Sequence, residues 1–230
     1  MEPEIKDLQN FLNKMGAKVE GAGTNVIKIT GVRKLKDISY NIMPDRIEAG
    51  TYLCAAGITG GRLQLSNIVP EHIGPIINKL EECGCKFEID KSSVIIDAPK
   101  KLKPVDIKTM PYPGFPTDMQ SVFATVLAVS KGTSIVVENI FENRYKYTNE
   151  LKWLGAKINI EGKIAIIKGV RKFTGATVEA TDLRGGAAVV IAGLVAKGKT
   201  RVNNIEYILR GYENLDKKLN KIGANIQLER

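Results

Sequence analysis

The sequence has few residues of the kinds that bind metals through sulfur or nitrogen. Its 230 residues include three cysteines, Cys54, Cys83 and Cys85, and a single histidine, His72. An odd number of cysteines predicts no disulfide framework, and the Cys83-x-Cys85 spacing matches no zinc motif. We therefore expect three reduced thiols, one or two of them buried, and His72 on the surface of a helix. Neither a metal nor a cofactor is predicted.

Long apolar runs are also absent. No stretch of about 18 apolar residues occurs, so the sequence predicts no membrane-spanning helix. The first residues, MEPEIKDLQN, are polar and acidic, unlike a secretion signal. With 43% hydrophobic and 26% charged residues, the composition is that of a soluble globular protein. The expected compartment is the cytoplasm.

Aromatic residues are scarce, at 6%, although the net charge is +9. The lysines are scattered except for a short cluster at 100–103, and no nucleic-acid-binding module can be recognised. A basic surface suits an anionic small substrate as well as it suits nucleic acid. We expect no nucleic-acid partner.

What the sequence does contain is an internal repeat. Segments beginning at Asp45, Asp118 and Asp182 share one order: an aspartate at a helix start, an apolar helix, a strand, a second helix and another strand. Between them, the segments from Gly16 and Gly155 align as further strand pairs, each followed by a strand that leads into the next aspartate. The unit is therefore β-α-β-α-β-β, and the fold class is α/β.

The two ends of the sequence interrupt this repeat. Residues 1–15 look like the second helix of a preceding unit, and the last residues, Gly-Ala-Asn-Ile-Gln from 223, stand where earlier units continue into a strand pair. A sheet that is one strand short exposes an edge. We expect a portion of a longer repeat protein that pairs through this edge, with itself or with a complementary chain.

Carboxylates and arginines recur at the predicted helix starts, as Asp45-Arg46, Asp118 and Asp182-x-Arg184. Such a pair can be structural, as a helix cap with an ion pair. It can also bind or deprotonate a substrate hydroxyl, because helix N-termini and arginines attract anions. Only the second unit has the Pro-Gly-Phe-Pro-Thr approach, which predicts that Asp118 is fixed in a loop and favours a functional role for it. The structural alternative is that Asp118 is the N-cap of the helix.

Two further arginines, Arg144 and Arg210, follow the second strand of their units, in ENRY and LRGYE. Each either binds substrate or is a surface arginine paired with a neighbouring glutamate, Glu142 or Glu213. The polar residues 142–144 are expected to be exposed. Gly185-Gly186 opens the third repeat helix, where small residues either let a phosphate approach or ease helix packing.

The longest motifs identify a family. In order, MPDRIEAGTYLCAAGITGG, YPGFPTDMQ, ENIFENRYKYTNELKWLGAKINIEG, ATDLRGGAAVVIAGL and ILRGYENLDKKLNKIGANIQ resemble the UDP-N-acetylglucosamine 1-carboxyvinyltransferases, of the enolpyruvyl transferase family. The resemblance covers the whole chain but only about the C-terminal half of the family's sequence. It implies an inside-out α/β barrel fold in two domains with the substrates between them. Residues 1–43 would be the tail of the other domain, which carries the nucleophile loop, and residues 44–230 would be nearly all of this one.

The resemblance also implies a reaction. Family members transfer the enolpyruvyl group of phosphoenolpyruvate to the 3-hydroxyl of UDP-N-acetylglucosamine and release phosphate, the first committed step of bacterial peptidoglycan synthesis, on which cell shape and division depend. Asp118 matches the residue that binds this hydroxyl and acts as its general base. Arg210 matches an arginine that grips phosphoenolpyruvate, Asp182 a carboxylate near the reacting centre, and Ile140 a backbone contact to the nucleotide. Less specific cleft or closure roles fall to Arg184, Arg144, Asp45 and Arg46.

The family's reactive cysteine, its substrate-binding lysine-asparagine pair and its arginine-bearing closing loop have no counterpart in this sequence. None of the three cysteines replaces the reactive one. The sequence therefore predicts the C-terminal portion of such an enzyme, with little activity by itself. The alternative is a non-catalytic remnant or half-enzyme that binds a UDP-sugar or a complementary chain without turnover.

Overall fold

The computed structural model of the chain describes residues 1–229 as alternating helices and strands. The helices are α1 (Pro3–Lys14), α2 (Arg46–Thr59), α3 (Gly74–Glu82), α4 (Thr117–Leu127), α5 (Tyr147–Trp153), α6 (Leu183–Gly193), α7 (Glu206–Leu209) and α8 (Leu215–Lys221). The strands are β1 (Lys18–Glu20), β2 (Lys28–Thr30), β3 (Arg62–Ser66), β4 (Lys86–Ile89), β5 (Ser93–Asp97), β6 (Ile107–Lys108), β7 (Thr133–Val137), β8 (Lys157–Glu161), β9 (Ile164–Lys168), β10 (Thr177–Glu179) and β11 (Arg201–Asn203). Within residues 1–229, no helix is long and apolar enough to cross a membrane.

The centre of the fold is formed by α2, α4 and α6, the first helices of the three repeat units, which pack against one another. They are apolar on nearly all sides, as expected of helices enclosed by other elements; every residue of α4 from Met119 to Leu127 is buried. This confirms the predicted buried helix of the second unit. Close approach of α2 to α4 depends on Gly50, where an added Cβ would lie 3.0 Å from the sulfur of Met119.

Sheets cover these helices. The second unit has the whole predicted order β6-α4-β7-α5-β8-β9, and its strands form one sheet in the order β6-β7-β9-β8. Side chains alternate across this sheet, so that Val136 and Ala165, which are paired in register, both face the core. The first unit forms the antiparallel sheet β3-β5-β4, and in the third β10 pairs with β11 in parallel.

Two predicted strands are wrong. Residues 38–43, expected to lead into the first repeat helix, and residues 224–229, expected to follow α8, have no strand structure. In the second unit the corresponding strands, β6 and β8, pair with β7 and β9. A strand is stable only with a hydrogen-bonded neighbour, and neither segment has one among the described residues.

The first 43 residues form a separate layer on this core. Helix α1 packs against β1, which pairs with β2 in an antiparallel hairpin, as predicted for residues 1–30. Apolar side chains of this layer are exposed, with Val26 and Ile29 each 71% and Ile42 82% accessible. The division into domains at residues 43 and 44 stays a prediction.

Candidate active site

Asp118 lies between two arginines. Its Oδ1 accepts a hydrogen bond of 2.8 Å from Nη2 of Arg144, and its Oδ2 accepts one of 2.9 Å from Nη2 of Arg184. The N-cap alternative and the loop position predicted for Asp118 were both wrong: α4 begins at Thr117, Pro116 occupies the cap position, and no side chain caps the helix. Because Asp118 is already inside the first turn, its carboxylate is directed to the two guanidiniums.

The second unit and the third each supply one of these arginines. Arg144 stands in the 3₁₀ turn before α5, and Arg184 in the first turn of α6. Arg144 was expected to be exposed and is buried instead, with 6% of its surface accessible. It pairs with Asp118 rather than with Glu142, and its guanidinium carbon lies 4.3 Å from the ring centre of Phe141. Neutralisation by a carboxylate and stacking on an aromatic ring permit this burial.

These contacts set the protonation of Asp118, whose side chain is 40% exposed. Partial burial would raise the pKa of its carboxyl group. The positive charges and hydrogen bonds of Arg184 and Arg144 outweigh that effect and hold the pKa below its ordinary value. Asp118 is therefore a carboxylate at neutral pH, able to accept hydrogen bonds.

The other two repeat aspartates are helix caps, as predicted. Oδ1 of Asp45 accepts hydrogen bonds from the N–H groups of Ile47 and Glu48, over 2.7 and 3.1 Å. Oδ1 of Asp182 accepts from the N–H groups of Arg184 and Gly185, both over 2.9 Å. These contacts support the structural alternative for both residues. Through its cap, Asp182 also fixes the backbone of an arginine that contacts Asp118.

Besides Asp45, three predicted site residues are not joined to the cluster of Asp118 and its two arginines. Arg46 is buried, pairs with Glu4 over 2.7 Å and lies over the Tyr112 ring. Ile140 is 46% exposed, with its N–H bonded to Glu138. Arg210 is exposed at the end of α7, and within residues 1–229 it makes no ion pair, with Glu213 or any other residue. Their recruitment to one site stays a prediction.

The sequence reasoning missed two buried residues beside the cluster. Tyr212 is fully buried; its hydroxyl lies 3.0 Å from Oγ1 of Thr51 and accepts a hydrogen bond of 3.4 Å from Nη1 of Arg184. Glu138 is 3% exposed and accepts four hydrogen bonds from three segments of the chain. A glutamate directly after the apolar strand β7 was the available signal, but the pattern read equally well as a solvated strand end.

The glycine pair of α6 serves helix packing. A Cβ at Gly185 would lie 2.5 Å from Oγ1 of Thr181, and one at Gly186 would lie 2.6 Å from Cγ1 of Ile208 and 2.9 Å from Cβ of Ala180. Both positions are closed by protein atoms. The packing alternative therefore accounts for both glycines.

The cysteines and the histidine supply no site. All three thiols are free and buried, whereas only one or two were expected to be buried. Burial raises the pKa of Cys83 to about 12 and that of Cys85 to about 11. His72 is partly buried in a 3₁₀ turn, and desolvation lowers its pKa. Among the residues described, no cluster of three His, Cys, Asp or Glu side chains could hold a metal ion.

Comparison with known proteins places the chain in a family. The family model of EPSP synthase (3-phosphoshikimate 1-carboxyvinyltransferase) matches residues 1–219. A UDP-N-acetylglucosamine 1-carboxyvinyltransferase of Desulfofundulus thermocisternus is 54% identical, with 96% of this chain and 91% of that protein aligned. UDP-N-acetylglucosamine 1-carboxyvinyltransferase 2 of Caldanaerobacter subterraneus subsp. tengcongensis is 56% identical, with 98% of this chain and 54% of that protein aligned.

Solved structures share the fold. The enolpyruvyl transferase NikO from Streptomyces tendae superposes with a TM-score of 0.85 at 27% identity, covering 99% of this chain and 55% of that one. EPSP synthase from Acinetobacter baumannii superposes with a TM-score of 0.72 at 20% identity, covering 96% and 55%. The predicted fold class, an enolpyruvyl transferase-like inside-out α/β barrel, is confirmed.

The chain spans about half the length of most of the curated relatives it matches. The relatives themselves agree in name, since those above 50% identity are UDP-N-acetylglucosamine 1-carboxyvinyltransferases. With the family model matched over residues 1–219, the chain belongs to the EPSP synthase family of enolpyruvyl transferases.

Proposed function

We propose that this chain carries part of the site that transfers the enolpyruvyl group of phosphoenolpyruvate to the 3-hydroxyl of UDP-N-acetylglucosamine. The observation that carries the proposal is the carboxylate of Asp118 held between Arg144 and Arg184 at the junction of two repeat units. A carboxylate there can accept a hydrogen bond from a sugar hydroxyl, while guanidiniums beside it can bind phosphate or carboxylate groups of the substrates.

The carboxylate of Asp118 and the guanidiniums of the arginines act at different stages of the reaction. The 3-hydroxyl adds to C2 of phosphoenolpyruvate to form a tetrahedral intermediate, which then expels phosphate. Asp118 takes the proton of the hydroxyl as its oxygen bonds to C2, while the electron pair of the C2–C3 double bond takes up a proton at C3. As phosphate leaves C2, a proton is lost from C3 and the double bond forms again. The arginines, with Arg210 joining them, stabilise the negative charge of the phosphate that leaves. Because Arg210 is exposed and has no ionic partner in the described part of the chain, it is free to bind an anionic substrate.

The lowered pKa of Asp118 suggests how its basicity is controlled. A general base works best when its pKa lies near the working pH, and the two guanidiniums hold the pKa of Asp118 low. Drawing either arginine onto a substrate anion removes part of this effect, so the pKa of Asp118 rises when substrate is bound. Asp118 thus becomes a stronger base only beside a bound anion.

The remaining matched residues take supporting roles in this proposal. Since Glu138 occupies the N–H of Ile140, the carbonyl oxygen of Ile140 is the group left to contact the nucleotide. Asp45 and Asp182 hold the starts of α2 and α6, and Arg46 ties the first 43 residues to α2 through Glu4.

A complementary chain is part of the proposal. The relatives are longer than this chain, and the layer formed by residues 1–43 exposes apolar side chains, among them Val26 and Ile42. Several highly exposed apolar side chains within one short segment favour a contact surface there. We expect the part of the family's sequence that this chain does not match to cover this layer, with a second copy of this chain as the competing occupant. The expected location is the bacterial cytoplasm, where the product enters peptidoglycan synthesis.

Phosphate release tests this function. The purified chain is incubated with phosphoenolpyruvate and UDP-N-acetylglucosamine, alone and mixed with the part of the Caldanaerobacter relative that it does not match. We expect release only in the mixture. Release by the chain alone would overturn the need for a complement. If neither sample releases phosphate while calorimetry detects UDP-N-acetylglucosamine binding, the chain is a non-catalytic binder.

A further inference from the structure

Glu138 is a buried carboxylate that joins three segments of the chain. Its Oε1 accepts hydrogen bonds from Oγ1 of Thr109 over 2.7 Å and from the N–H groups of Ile140 and Phe141 over 2.9 and 3.0 Å. Its Oε2 accepts from Oγ1 of Thr117 over 3.0 Å. Only 3% of Glu138 is exposed, and a charge that is this deeply buried is retained only with such full hydrogen bonding.

The hydroxyl of Thr117 links Glu138 to Arg144 in the candidate site. Oγ1 of Thr117 also accepts a hydrogen bond of 3.3 Å from Nε of Arg144, whose Nη2 bonds to Asp118. We propose that Glu138 is a positioning residue that holds Arg144 against Asp118 through the hydroxyl of Thr117. In its catalytic part this inference rests on the function proposed above.

The negative charge of Glu138 gives this chain of hydrogen bonds its direction. An ionised carboxylate only accepts, so the Thr117 hydroxyl must donate toward Glu138 and present a lone pair to Nε of Arg144. A glutamine at position 138 would have to keep its carbonyl oxygen toward the two backbone N–H groups. Its NH₂ group would then donate to the hydroxyl oxygen of Thr117, in competition with Nε of Arg144. The hydroxyl proton would lose its acceptor and would have to point elsewhere.

A second contact converges on the same arginine. By accepting from the N–H of Phe141, Glu138 also fixes the loop whose aromatic ring lies 4.3 Å from the guanidinium carbon of Arg144. One carboxylate therefore holds both the hydrogen-bond acceptor and the ring that orient Arg144. This positioning role explains why a charged residue, Glu138, is buried here although the family resemblance assigns it no contact with a substrate.

The test follows the Arg144 Nε–H group by NMR in the 15N-labelled chain, with the signal assigned by its loss in Arg144→Lys. We expect its exchange with water to accelerate about tenfold or more in Thr117→Val and Glu138→Gln, because each removes or redirects a bond of the kind that protects this proton. Thr117→Ser, which keeps the hydroxyl, retains the slow exchange. Thr125→Val is the matched control, since Thr125 lies on the same helix and, within residues 1–229, its hydroxyl bonds only to the carbonyl of Ser121.

Equal exchange in Thr117→Val and Thr117→Ser, both folded by circular dichroism, overturns the proposal. So does acceleration in Thr125→Val as large as in Thr117→Val, because that would show a general loosening of α4. In the phosphate-releasing mixture, Thr117→Val is expected to lower kcat roughly tenfold with little change in KM. If the mixture is inactive, the proposed function fails, while the exchange measurement on the chain alone still decides the positioning role.

Discussion

Nη2 of Arg184 lies 2.9 Å from Oδ2 of Asp118, although 66 residues separate the two in the sequence. The bond joins the first turn of α6 to the first turn of α4, and Oγ of Ser121 reinforces it by donating to the carbonyl of Arg184 over 2.9 Å. The candidate site is thus built at a helix packing interface between two repeat units. Its geometry depends on how those units pack.

Removing the Asp118 carboxylate should destabilise the chain. In Asp118→Ala, the largely buried guanidiniums of Arg144 and Arg184 lose their shared counter-charge. We expect the free energy of unfolding in urea to fall by about 2 kcal/mol, less than for a fully buried pair because Asp118 is partly solvated. Asp45→Ala, which removes a true helix cap, is the comparison and should cost about 1 kcal/mol. A smaller loss for Asp118→Ala than for Asp45→Ala would show that the arginines need no counter-charge.

The stability of the chain should depend on pH through Asp118. Its folded-state pKa lies below the ordinary value of 3.8, so the folded state favours the charged form. The stabilisation is fully present well above pH 3.8 and is lost as the pH falls through the folded-state pKa. Unfolding free energies of the wild type and Asp118→Asn, measured from pH 7 down to acid, should therefore converge below this value. A difference that stays constant over the whole range would contradict the assigned pKa direction.

Two glycines of α6 should respond in opposite ways to alanine. Gly186→Ala would bring a Cβ within 2.6 Å of Ile208 and 2.9 Å of Ala180, and such overpacking costs about 1–3 kcal/mol. Gly193→Ala meets Thr200 at no less than 3.4 Å, so the higher helix propensity of alanine, up to about 1 kcal/mol, should be retained. Thermal unfolding of both variants checks this. Equal effects would mean that α6 can shift away from α7.

Arg210 and Arg46 should separate function from stability. Arg210 is exposed, so Arg210→Ala should change the unfolding free energy by less than about 0.5 kcal/mol. In the reconstituted mixture it should raise KM for phosphoenolpyruvate or lower turnover. Arg46→Ala leaves Glu4 without the buried arginine that pairs with it and should lower thermal stability. Unchanged kinetics in Arg210→Ala would remove Arg210 from the site.

The parts of this structure that the sequence predicted are those set by local patterns. The repeat unit, the buried helix α4 and the caps at Asp45 and Asp182 follow from periodicity and from polar groups next to helix starts. The two segments wrongly predicted as strands, 38–43 and 224–229, have a strand-like composition. Composition cannot provide the neighbouring strand that would pair with them.

The parts that were missed depend on contacts between distant residues. ENRY reads as an exposed polar segment, because charged residues are usually solvated. Arg144 is buried only because Asp118, Thr117 and Phe141 surround it. Likewise, nothing near Asp118 in the sequence indicates that Arg184 will pair with it. Side-chain pairing across repeat units is set by packing, which one sequence does not display.

The most direct test of the central claim is phosphate release by the reconstituted mixture, measured with the wild-type chain and with Asp118→Asn. The variant keeps the size of the side chain and removes its charge, and formation of the mixture is checked by size-exclusion chromatography. If Asp118 accepts the proton of the sugar hydroxyl, release should fall by about 100-fold or more, in the range of lost general-base catalysis. Equal release by the two mixtures would contradict the assignment of the site to Asp118 and its two arginines.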